Sequence, residues 1–173
     1  SHGSGYSPYA NEFWVPLWGT STVYRYDRNY NSLGTFTSGQ SYMMQLWGDT
    51  DGSYYTANWN SYTITKTASM SNSTTLWSYS LSGSAGGVAA DANYVYAMMD
   101  AGSSNGNIVY KLNKTTGALV GTIALNNMTS YLFGGLIVVD DYLIRGNTSG
   151  VIEYFSLTTG NKIGSYSTGY NIY

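Results

Sequence analysis

Side-chain catalysis needs groups that move protons or attack electrophiles, and this chain holds few. Its one histidine, His2, stands next to the start, and there is no cysteine. A Ser-His-Asp relay and a histidine- or thiolate-bound zinc both need such residues inside the fold, so neither chemistry is expected. His2 reads as a tag remnant in a flexible start, residues 1–4. Nine carboxylates remain. Glu12 and Glu153 lie beside or within expected strands, and no second acid is spaced to partner them or Asp100 in glycosidase chemistry. Asp49 and Asp51, in "DTDG" at 49–52, carry a faint outline of a calcium loop, with oxygen ligands at alternate positions. The further acid such a loop needs does not follow. Asp91, Asp140 and Asp141 fall at the same point of later segments, which suits turn formation. The expectation is no catalytic residue, no metal and no cofactor.

Aromatic and amide side chains offer a different chemistry. A sugar stacks its C–H face on a ring, and its hydroxyls need donors and acceptors together. Trp18, Trp59, Asn58, Asn60, Asp100 and Asn147 fall in expected loops of one face, with Asn105 beside them and Tyr42 and Tyr131 near the linkers. They form the candidate ligand-binding set. For Trp18 and Trp59 the competing role is a wedge between sheets. Trp47 and Trp77, within strands, are assigned to the core. Four Asn-x-Ser/Thr sequons, at Asn72, Asn113, Asn127 and Asn147, are candidate glycosylation sites, although a chain this rich in Ser and Thr yields about that number by chance.

Charged residues make up only 9% of the 173, the net charge is -2, and aromatics reach 16%, with 19 tyrosines. Abundant aromatics exclude a disordered composition. Tyr, Thr, Val and Ile favour half-buried pleated surfaces, and Gly and Asn favour tight turns. Seven dispersed Lys and Arg leave no basic stripe for nucleic acid. The pair of lysines in "KLNK" (111–114) reads as ordinary solvated side chains. The longest apolar run, Leu136 to Val139, is too short to span a bilayer. No signal peptide is visible, as in a mature secreted protein. Low charge with much Tyr, Ser, Thr and Asn fits a protein outside the cell or on its surface.

The elements that must position these residues repeat. "VYRYD", "YTITK", "IVYKL" and "VIEYF" start at residues 23, 62, 108 and 151, at intervals of 39, 46 and 43. Each alternates as a strand does. Each is preceded by two further strand-like stretches and followed by one, with turn residues between. Four-strand units at 40–50-residue spacing are the signature of β-propeller blades. The expected fold is all-β, with blades at about 5–39, 40–83, 84–128 and 129–168. "GYNIY" (169–173) repeats the pattern of "GYSPY" (5–9), as the first strand of a further blade or an inter-subunit strand would.

"YKLNKTTGALVGTIAL" (110–125), "YFSLTTGNKIGSYSTG" (154–169) and "GDTDGSYYTANWNSYTITK" (48–66) resemble the hairpins of secreted bacterial and archaeal propellers with NHL, YVTN or PQQ-like repeats. The resemblance covers nearly the whole chain and is generic. It implies blades without choosing among these families.

The leading functional expectation is a non-catalytic extracellular structural or adhesive propeller that self-associates or contacts other surface proteins. The alternative is a carbohydrate-binding propeller with glycan partners. The third reading is a fragment of a larger propeller enzyme.

Overall fold

The computed structural model describes residues 3–100, 106–129, 132–147 and 149–170. His2, Asn105 and Tyr131, and most of the 169–173 segment, lie outside these. Among the described residues all regular structure is β. The strands are β1 (Gly5–Ser7), β2 (Glu12–Pro16), β3 (Thr22–Tyr26), β4 (Ser32–Thr37), β5 (Met43–Gly48), β6 (Tyr54–Asn58), β7 (Thr63–Ser69) and β8 (Asn72–Ser80). There follow β9 (Ala85–Ala90), β10 (Tyr94–Met99), β11 (Ile108–Asn113), β12 (Leu119–Ala124), β13 (Leu132–Val139), β14 (Tyr142–Asn147), β15 (Val151–Ser156) and β16 (Lys162–Ser167). They form four separate antiparallel sheets, each four consecutive strands in sequence order.

The blades are quasi-equivalent down to their irregularities. In every one the third and fourth strands slip register near the end of the third, at Arg25/Tyr26, Lys66/Thr67, Lys111/Leu112 and Tyr154/Phe155. Such a bulge increases local twist. The hairpins use side-chain caps. Asp91 Oδ1 accepts from the Asn93 and Tyr94 amides, each at 2.7 Å. Asn113 Oδ1 accepts from Thr115 and Thr116 at 2.9 and 3.0 Å. At the first hairpins of their blades Asp91 is therefore a turn-former, and Asp51 is another through the Ser53 amide at 2.9 Å.

The hydrophobic core lies between blades, because each four-stranded sheet has two apolar faces to cover. Trp14, Val23, Met43 and Tyr54 join the first blade to the second. Tyr55, Ile64, Val88, Ala97 and Leu112 join the second to the third, and Tyr96, Met98, Val109, Leu136 and Phe155 join the third to the fourth. Trp47 and Trp77 pack against these clusters as core aromatics.

The inner strands pack successively, β1 on β5, β5 on β9 and β9 on β13. Among the described residues, no strand of the first blade makes more than marginal contact with a strand of the fourth. Gln45 on β5 ties three blades together at the axis. Its Oε1 accepts from the Val88 and Leu136 amides at 3.0 Å each, and its Nε2 donates to the Leu136 carbonyl at 2.9 Å. The side chain is buried.

Candidate functional site

Propeller-type loops gather at two ends. One end collects the β2–β3 and β6–β7 hairpins with the β4–β5 linker, and there Trp18, Tyr42 and Trp59 meet. Trp18 lies edge-on to Tyr42, with ring centres 5.4 Å apart and planes at 87°. It also meets Trp59 edge-on, at 5.9 Å and 61°. Offset and edge-to-face rings attract through their quadrupoles, so the trio forms a stiff aromatic platform.

Two hydrogen bonds hold Trp59 in place. Its backbone amide donates to the Tyr42 carbonyl at 3.0 Å. Its indole Nε1 donates to Asp100 Oδ2, at the end of β10, at 2.7 Å. Asp100 is in turn fixed by its own amide, which donates to the Ser84 carbonyl at 2.7 Å. The platform thus draws on the first three blades. Trp59 and Tyr42 remain 36% and 37% exposed, so part of each ring faces solvent.

Tyr42 sits at φ 53° and Tyr62, in the same loop as Trp59, at φ 59°. Bulky side chains rarely occupy this left-handed region, and such strain collects at binding sites. Asn60 follows Trp59 and is exposed at the rim.

Trp18, Trp59 and Asp100, named from the sequence as a candidate ligand-binding set, therefore come together at this end. Asn58 and Asn147 do not present their amides to it. Both are about 1% exposed. Asn58 Nδ2 lies within 3.2–3.4 Å of Gln40 Oε1, Thr56 Oγ1 and Thr63 Oγ1. Asn147 Oδ1 accepts from the Ser149 and Val151 amides, both at 3.0 Å, shaping the β14–β15 turn from inside. That burial also corrects Asn147 as a glycan acceptor, because an attached sugar has no room there. Asn72 and Asn127 are exposed and Asn113 half-buried.

Asp49, Asp51, Glu12 and Glu153 are engaged in ion pairs and hydrogen bonds. Asp49 takes Lys114 Nζ at 2.8 Å on one oxygen and the Tyr55 hydroxyl at 2.8 Å on the other. Asp51 accepts from the Ser53 amide and lies 3.8 Å from Lys66 Nζ. Both lysines compete with any cation for those oxygens. Among the described residues, no group of three potential metal-ligating side chains comes together.

Glu12 takes Arg25 Nε at 2.8 Å and Trp14 Nε1 at 3.1 Å. The Arg25 hydrogen bond holds its carboxyl below the ordinary 4.5, against the opposing effect of burial. Burial alone would raise the carboxyl of Glu153. Hydrogen bonds from Lys162 and Thr129, with the charge of Arg145, reverse this and hold it below 4.5. Both carboxylates are buried and pair with cations on strands of their own blades.

No protein family and no curated protein sequence matches the chain. Solved structures do. BamB from Moraxella catarrhalis superposes with a TM-score of 0.59 at 19% identity, over 95% of this chain and 52% of that one. Glutaminyl cyclase from Myxococcus xanthus gives 0.73 at 14% identity, over 95% and 69%. The chain is a β-propeller. The propeller spans about half the length of BamB. At such identities the likeness carries the sheets and not the site residues. The generic propeller resemblance of the hairpins stands, with no particular repeat family singled out.

Proposed function

We propose that this propeller is a non-catalytic adhesive module that binds carbohydrate on its loop face. One observation carries the reading: Trp59 is locked by Asp100 and braced by Trp18, yet keeps about a third of its surface open to solvent. A ring pre-set in this way loses little conformational entropy when a sugar stacks on it. Tyr42 and Asn60 supply a hydroxyl and an amide at the rim. The low charge and the wealth of Tyr, Ser and Thr support a site outside the cell or on its surface.

The likeness to a glutaminyl cyclase gives an enzyme reading its only footing, and at 14% identity it does not extend to side chains.

A glycan array with the intact chain tests the proposal. Trp59→Ala is expected to lower retention of the bound sugar at least tenfold while leaving the circular dichroism of the sheets unchanged. An intact protein that retains no glycan, or a variant that binds as well as the parent, removes the reading.

A further inference from the structure

We propose that the outer face of the fourth blade receives the first blade of a second copy of this chain, head to tail. The inference is independent of the carbohydrate reading.

Ile137, Val139, Tyr142 and Ile163 are 42%, 50%, 46% and 57% exposed. With Ile144 and Tyr154, the last three line an apolar concavity of about 320 Å³. No charged side chain stands among these residues. A clustered apolar face of this kind marks an interaction surface, whereas singly scattered apolar residues do not.

Register identifies what the face is shaped for. Ile137 opposes Ile144 in the β13–β14 pair, as Ala89 opposes Tyr96 in the β9–β10 pair. Ala89 and Tyr96 are 0% and 3% exposed, because the fourth blade covers them. Ile152 likewise occupies the register place of fully buried Val109, opposite Gly146 where Val109 is opposite Met98. The open face is therefore the face that the third blade buries beneath its successor.

The linker beyond the fourth blade has the matching form. Ser38 donates from both its amide and its hydroxyl to the Ser21 carbonyl, and its hydroxyl bridges Gln40, just where the chain passes from the first blade to the inner strand of the second. Thr168 repeats this set on the Gly150 carbonyl and on Tyr170. The glycine between has φ 74° at both Gly39 and Gly169. The turn after β16 thus repeats the turn that leads into β5.

The same molecule carries the complementary half. On the first blade, Trp14 and Val23 face the second blade, which turns Phe13, Tyr24 and Tyr6 outward. Phe13 stacks on Tyr30 at 5.6 Å, and Tyr24 and Tyr30 are 38% and 75% exposed. These occupy the side on which Val95 and Ala97 of the third blade are buried against the second. A second copy would continue the interface already present three times within the chain. A head-to-tail contact closes a ring if its rotation returns to the start and otherwise grows a filament.

The test is sedimentation velocity of the purified chain over a concentration series. The parent is expected to form species larger than one chain. Ile163→Lys at one end and Tyr24→Lys at the other are each expected to weaken association at least tenfold. An equimolar mixture of the two variants should restore dimers and nothing larger, since only one intact pair of faces remains. A parent that stays monomeric throughout overturns the proposal and leaves the face to a blade of another polypeptide or of a longer form. A Tyr24→Lys variant that still dimerises, or a mixture that does not pair, overturns the head-to-tail geometry. If a charged variant loses its sheet signal, Ile163→Cys and Tyr24→Cys carry fluorophores instead, the chain having no other cysteine. Energy transfer between copies labelled at opposite ends is then required.

Discussion

Gln45 is the most informative residue to perturb, because one side chain satisfies three backbone groups on two other blades. Gln45→Leu keeps much of the volume and removes every polar atom. The Val88 amide, the Leu136 amide and the Leu136 carbonyl then lose their partners in a buried setting. An unpaired buried polar group costs about 1–3 kcal/mol. Three of them imply a loss of at least about 3 kcal/mol, a large share of the 5–15 kcal/mol that stabilises an ordinary domain. At about 2–4 °C per kcal/mol for a chain of this size, the melting temperature should fall by roughly 6–12 °C. Gln45→Glu discriminates further. Protonated, its carboxyl accepts from the amides and donates to the Leu136 carbonyl; ionised, it is a buried charge facing that carbonyl, so its loss relative to the parent at the same pH should be smallest in acid and grow as pH rises. Urea unfolding followed by circular dichroism measures both. A leucine variant within about 0.5 kcal/mol of the parent would show that Gln45 is no brace.

Two further outcomes follow from the buried charges. Glu153 lies 2.7 Å from Lys162 Nζ and 3.5 Å from Arg145, with Arg145 and Glu153 fully buried. Glu153→Leu should cost about 3–5 kcal/mol by leaving cationic partners uncompensated, and Arg145→Leu added to it should recover part of that loss. Chemical denaturation of the single and double variants reads both. The acid limb of stability has a fixed sign. Glu12 and Glu153 are held below 4.5 in the fold. Their contribution is complete above that value and is lost as pH falls through the lowered folded values. Melting temperatures should be flat from pH 7 to 5 and drop below about pH 4.5, and Glu12→Gln should flatten that drop.

The blades were legible because their signal is repetition, and the alternating stretches at 23, 62, 108 and 151 all became third strands. Trp18, Trp59 and Asp100 were also legible as a group, since the repeat places their loops at one end. Asn58 and Asn147 were not. An Asn at a strand end looks like an exposed loop residue, but its short amide also caps a turn from the inside, and only the fold decides between the two. Gln45 escaped notice because a polar residue between Met44 and Leu46 matches a surface position. Its backbone partners lie 43 and 91 residues away. Arg145 and Glu153 pair through direct cross-strand register. Two oppositely charged residues in adjacent strands hinted at this, but their opposition emerged only with the hairpin.

Four sheets without a shared ladder also determine how the molecule would respond to tension. Among the described residues, no strand of one blade shares a backbone ladder with a strand of another, and the Gln45 side chain is what bonds β5 to β9 and β13. A pull on the two ends would therefore be resisted by packing between blades and by local hairpins, which unzip one rung at a time. Yielding should come in steps of about forty residues, roughly 140 Å of extended chain each. The first blade, outside the reach of Gln45, should release before the three that this side chain clasps.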